Sequence, residues 1–141
     1  MTTEATIEQA AIDWLSDLGY LHQSGTVLPQ NHNTEVVLKE QLFQFIAKQH
    51  PYIPKEIQVL AVSEFTNNVG ADLEHRNRTF HLKLTKGIEF AYEDATGKEK
   101  AVHIYPIDFT NPENNTFWAV NQFSITGKNK RRPDVIIYIN G

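Results

Sequence analysis

Apolar residues recur at helical spacing near the start of the chain. Ile7, Ala10, Ala11, Trp14, Leu15 and Leu18 share one wide arc at the helical period of about 100° per residue. Thr6 and Gln9 form a capping-box pattern ahead of it, and Gly19 is a natural stop. Glu8 projects between Ile12 and Leu15, inside the apolar arc, where a carboxylate loses hydration unless something pairs with it. A glutamate reaching out from the core edge would satisfy the same pattern.

A loop with Pro29, Asn31 and Asn33 follows. "TEVVLKEQLFQFIAKQHP" predicts a second helix, capped by Thr34 and ended before Pro51. "PKEIQVLAVSEFT" predicts a third, with Pro54 at its start, a position that tolerates the missing N–H. "ADLEHRNRTFHLKLTKG" is helical in its later part and ends at Gly87. Beyond that point the period changes from helical to alternating. "GIEFAYEDATGKEKAVHIYPIDF" alternates around a turn at Gly97, the pattern of a β-hairpin. "NPENN" is a loop and "TFWAVNQFSIT" a strand. "DVIIYI" is apolar on both faces, which predicts an interior strand. Helices precede strands, and the expectation is one mixed α/β domain with the first helix packed on the sheet.

At 141 residues the chain suits one domain with a sizeable core. It has no cysteine, which excludes disulfides and thiolate metal sites. It shows no membrane-spanning run and no signal-peptide pattern at "MTTEATIEQ", so no membrane partner and a cytoplasmic location are expected. The net charge of −4 does not point to nucleic acid, but cations can cluster locally. Lys128, Lys130, Arg131 and Arg132 do so; the commoner meaning of such a run is a solvated loop.

Most catalytic patterns are missing. There is no glycine-rich phosphate loop. The six histidines are scattered, with no helical His-x-x-x-His pair. The serines lack the glycines of a nucleophile elbow. What remains is Pro133-Asp134 at the mouth of an apolar strand, directly after the basic run, where oxygen ligands can hold a hard cation.

These residues carry a resemblance. "IDFTNPENNTFWAVNQFSITGKNKRRPDVIIYING", "NRTFHLKLTKGIEFAYED" and "TIEQAAIDWLSDLGY" resemble, in order, the amino-terminal region of the R subunit of type I restriction–modification enzymes. The resemblance implies that residues 1–141 are the N-terminal part of an endonuclease domain of the PD-(D/E)xK kind, similar to RecB-type nucleases. The implied fold is restriction-endonuclease-like, a mixed β-sheet flanked by helices. Asp134 matches the first metal-binding carboxylate, and Glu8 a helical acid bordering the active site; both are thus implied catalytic and metal-binding residues. Arg131 and Arg132 match the basic residues before the motif, and with Lys128 and Lys130 they are the expected DNA contacts. The implied cofactor is Mg²⁺ in the complete domain, with ATP used by motor domains outside this chain. The implied partners are double-stranded DNA and the methyltransferase and specificity subunits.

The family pattern continues past Asn140-Gly141 into a strand carrying Glu-x-Lys. An Asn-Gly pair favours a tight hairpin, so the expectation is a domain incomplete at its C-terminal end, inactive by itself. The rival expectation is a docking module without catalysis of its own.

Overall fold

The structure, a computed structural model, describes residues 3–26, 37–123, 125–126, 130–131 and 134–141, with the backbone alone at 125–126 and 130–131. The elements in chain order are α1 (Glu4–Asp17), β1 (Leu21–Ser24), α2 (Lys39–Gln49), α3 (Lys55–Thr66), α4 (Leu73–Lys86), β2 (Ile88–Glu93) and β3 (Glu99–Ile104). A 3-10 turn (Pro112–Asn114) then leads to β4 (Phe117–Asn121), β5 (Ile125–Thr126), β6 (Lys130–Arg131) and β7 (Val135–Ile139). The fold is mixed α/β. It divides into two compact units, Met1–Leu38 with Asn115–Gly141, and Lys39–Asn114, where the sequence suggested one undivided domain.

The first unit is built on a three-stranded mixed sheet of order β1-β4-β7. β4 runs parallel to β1, pairing Leu21 with Trp118 and Ser24 with Asn121. It runs antiparallel to β7, pairing Phe117 with Ile139 and Asn121 with Val135. The sheet's core is Val120, Phe123 and Tyr138, packed with Leu38, Trp118 and Ile136. Phe123 and Tyr138 meet edge to face, 6.3 Å between ring centroids. Burial raises the Tyr138 phenol above its ordinary pKa.

Helix α1 lies on this sheet, against β1 and β4. Its cap is Thr3, whose hydroxyl accepts from the Thr6 N–H; the predicted Thr6–Gln9 box does not form, and Gln9 bonds Asp13 instead. The packed stripe is Glu8, Ala11, Ile12 and Leu15, spaced i, i+3, i+4, i+7. Trp14 and Leu18, predicted for the same arc, are exposed at 70% and 64%. Two further expectations need correction. The segment after Gly19 is not all loop, since residues 21–24 form β1. And β7, expected inside the sheet, stands at its edge among the described residues, where it pairs with β4 alone, and Ile137 and Ile139 are substantially exposed while Tyr138 is buried. Its apolar residues therefore alternate between a packed and an open face.

The second unit packs α2 and α3 together, with α3 also against α4 and β2. Leu42, Phe45 and Ile46 from α2 and Ala61, Val62 and Phe65 from α3 are buried, as are Phe90 and Ile104 of the hairpin. The buried Gln58 amide is satisfied by donating to the His50 carbonyl at 3.1 Å, which avoids the cost of an unpaired polar group. Lys83 of α4 donates to the Glu64 and Asn67 carbonyls, closing groups left open at the end of α3. The hairpin pairs β2 with β3 from Ile88↔Ile104 to Glu93↔Glu99, as the alternation predicts.

Candidate functional site

The end of β4 is where the first unit departs from regular structure. Ser24 and Val135 flank Asn121 in the ladder. The next residue, Gln122, takes φ = 59°, left-handed backbone that is uncommon outside glycine and often marks functional sites. Strand pairing stops there, and Phe123 turns into the core.

Glu8 reaches this point from the packed stripe of α1. Its Oε1 accepts from Asn121 Nδ2 at 3.0 Å and from Gln122 Nε2 at 3.0 Å, and its Oε2 from Gln122 Nε2 at 3.2 Å. Two side-chain amides thus hold one half-buried carboxylate, and no cation takes part in those bonds. Because Asn121 turns its NH₂ to Glu8, its Oδ1 meets His22 Nε2, 2.9 Å away. That nitrogen must be the donor. A continuous path results, from the α1 carboxylate through the β4 amide to the β1 imidazole.

Gly25 holds the strand end in place. Its N–H donates to the Asn121 carbonyl at 2.6 Å. A Cβ at Gly25 would lie 2.5 Å from Phe123 Cα and 2.7 Å from its nitrogen, inside any tolerable contact. The turn that leaves β1 therefore needs glycine here to pass against the backbone that carries the two amides.

Asp134 is exposed and directly precedes Val135, the partner of Asn121. By register it enters the sheet at the end where Glu8 is held. Sequence reasoning named Glu8 and Asp134 and missed His22, Asn121 and Gln122. Lys130 and Arg131 form β6, paired with Thr126 and Ile125, and nothing further of their side chains is described. Lys128, Arg132 and Pro133 lie outside the described residues. Among the described residues no cluster of three or more His, Asp or Glu side chains could hold a metal ion. No described helix is long and apolar enough to cross a membrane.

At the far end of β7, Asn140 is buried and takes φ = 60°, and Gly141 takes φ = 101°. Asn140 Oδ1 accepts from the Thr116 N–H at 2.8 Å, and its Nδ2 donates to Asn115 Oδ1 at 2.9 Å. Positive φ at both residues has the sign that a type I′ turn requires.

The comparisons with known proteins agree over the whole chain. The family model described as Type I restriction enzyme R protein N terminus matches residues 1–141. A type I restriction enzyme HindI endonuclease subunit of Haemophilus influenzae is 33% identical over 150 residues. A protein of Methanocaldococcus jannaschii named as the type I restriction enzyme MjaIXP endonuclease subunit is 27% identical over 150 residues. Each alignment covers 100% of this chain and 14% of the relative. No solved structure matches. With its full length matched, in the order in which α1, the hairpin and the β4–β7 region occur, the chain belongs to the family of type I restriction enzyme R protein N termini.

Proposed function

We propose that the first unit carries one half of a DNA endonuclease site of the PD-(D/E)xK kind, with Asp134 as the first metal-facing carboxylate and Glu8 as the helical acid beside it. The observation that carries this reading is the convergence at the end of β4. Glu8 is gripped by Asn121 and Gln122, and Asp134 enters one residue before the partner of Asn121. Two carboxylates brought to one end of a sheet by elements far apart in sequence suit phosphodiester chemistry, which needs concentrated negative charge to bind a cation. The mixed sheet with α1 against it supports a restriction-endonuclease-like fold.

The described residues do not by themselves fit a Mg²⁺ ion. Both Glu8 oxygens already accept amide N–H groups, and no third acid joins them. The reading therefore assigns the ion to the complete domain, where a strand following the Asn140-Gly141 turn would bring the family's Glu-x-Lys, and no catalytic step is derived from this chain alone. What the chain does is orient. The amides fix the rotation of the Glu8 carboxylate, and the Gly25 contact fixes the amides. Lys130 and Arg131, with Lys128 and Arg132 near them in sequence, are the proposed contacts to DNA phosphate, which would lend affinity without sequence preference. In the whole protein this unit would act on double-stranded DNA together with ATP-driven motor domains and the methyltransferase and specificity subunits.

The test is plasmid cleavage by the full-length R subunit assembled with its partners, with Mg²⁺ and ATP. Asp134→Ala is expected to abolish cleavage while ATP hydrolysis persists, and Glu8→Ala to slow cleavage at least tenfold. Wild-type cleavage by both variants would leave the docking-module reading, in which the exposed Trp14 and Leu18 of α1 are the partner surface.

A further inference from the structure

The second unit holds a cavity that the nuclease reading does not use. It measures about 380 Å³, within the range of small-ligand pockets, about 300–1,000 Å³. Phe45, Gln49 and His50 of the α2 end form one side, and His103, Tyr105 and Phe109 of the β3 exit form another. Phe45 is buried, whereas Tyr105 and Phe109 are exposed at 44% and 58%. The aromatic surface thus runs from a closed floor to an open mouth.

The β3 wall is built. His103 and Tyr105 stack, with ring centroids 4.7 Å apart and planes inclined at 30°. His103 Nε2 donates to the Lys86 carbonyl at 2.6 Å, so in the neutral ring Nδ1 is left as the acceptor. This closeness depends on Gly87, at φ = 64°. A Cβ there would lie 2.6 Å from the Ile104 carbonyl oxygen and 2.9 Å from both His103 Nε2 and Tyr105 Cδ1.

The polar groups narrow the ligand class. No lysine or arginine lines the cavity, so an anion meets no permanent positive charge there. Burial holds His50 below the ordinary imidazole range, so it stays neutral at neutral pH. Asp108, the one acid in the lining, accepts from the N–H groups of Thr110 and Asn111 and from the Asn114 amide, so a cation finds it already engaged. What is left is aromatic surface with an amide that both donates and accepts and with imidazole nitrogens. We infer that this cavity binds a nucleobase, stacked on the Tyr105–Phe109 surface with its edge read by Gln49 and the histidines. Nucleobases are neutral, planar and bear donors and acceptors on one rim. The base could belong to a free nucleoside or to an unpaired DNA strand; the chemistry is the same. The inference lies in the other unit and is independent of the endonuclease reading.

The test uses the 141-residue chain, monitored by ¹H–¹⁵N NMR during titration with adenosine, thymidine, an oligothymidylate and a DNA duplex. Shifts are expected at Gln49, His50, His103 and Phe109. Phe109→Ala and Tyr105→Ala should each weaken binding about 5- to 160-fold, the range for lost base stacking. Tyr52→Ala, which removes an aromatic 96% exposed and outside the cavity, should change nothing. Tighter binding of the oligothymidylate than of thymidine marks the unpaired strand as the source, and the reverse marks a free nucleoside. Absence of shifts at the cavity with millimolar nucleosides and with the oligothymidylate overturns the inference. So does binding that survives both aromatic substitutions in chains whose spectra remain dispersed.

Discussion

The carboxylate at the candidate site of the first unit is held differently from three aspartates of the second. In the second, Asp72 accepts from the His75 N–H and ring nitrogen, Asp94 from Thr96 and the Lys98 N–H, and Asp108 from Thr110, Asn111 and Asn114. Each is served within six residues of itself, and each is held below the usual carboxylate range by those bonds. In the first unit, Glu8 is served by amides 113 and 114 residues away. A locally satisfied acid shapes a cap or a turn. An acid held only through tertiary contacts orders nothing nearby, and its placement depends on the whole unit being folded.

The contrast can be broken first at Gly25. Alanine there must push Phe123 and the amide-bearing end of β4 aside. Overpacking of this kind costs about 1–3 kcal/mol, and urea unfolding should show it, together with chemical-shift changes at Asn121 and Gln122. Unchanged stability would mean that the close approach of Gly25 to Phe123 is absent in solution.

A smaller effect is expected at the amides. Asn121→Ala removes a donor to Glu8 and the acceptor for His22, at a cost of about 1–2 kcal/mol for a charge-assisted bond in a half-buried setting. Combined with Glu8→Ala, the loss should fall short of the sum of the single losses, because the two residues share one interaction. Strict additivity would show that the pair does not interact.

The smallest effect belongs to the local acids. Asp94 is held at about 2, first by the Thr96 hydroxyl and then by the Lys98 N–H. Its folded pKa lies below its unfolded value, so its contribution is present above about pH 4 and fades as the pH falls toward 2. Asp94→Asn should lower the melting temperature of the chain slightly at neutral pH and flatten its decline across that acid window. Glu8 should be untouched: the resonances of Asn121 and Gln122 ought to stay where they are.

The same contrast decides what could be read from sequence. Helices α3 and α4, the body of α2 and the β2–β3 hairpin follow from period, Pro54, Gly87 and the turn at Gly97, all local signals. The start of α2 does not, since Val37 and Leu38 precede the helix, which begins at Lys39, and the expected cap at Thr34 lies outside the described residues. The position of Glu8 among Ile12 and Leu15 also followed from period. The strand Leu21–Ser24 did not, because four residues with one apolar side chain have no pattern; the pairing with β4 makes it a strand. The break at Gln122 was hidden inside "TFWAVNQFSIT", where Asn-Gln looks like ordinary polar alternation. Asn121, Gln122 and His22 become site residues only through partners distant in sequence. The edge position of β7 was missed because apolar residues on both faces imply burial on both, and Ile137 and Ile139 do not obey.

The central claim is that Glu8 and Asp134 share one end of the sheet. The chain has no cysteine, so paired cysteine substitutions report on the chosen positions alone. Glu8→Cys with Asp134→Cys, treated with a short bifunctional thiol reagent and mapped by mass spectrometry, should cross-link readily within one chain. Glu8→Cys with Ile139→Cys, at the opposite end of β7, should not. Efficient cross-linking to position 139 and none to position 134 would contradict the account.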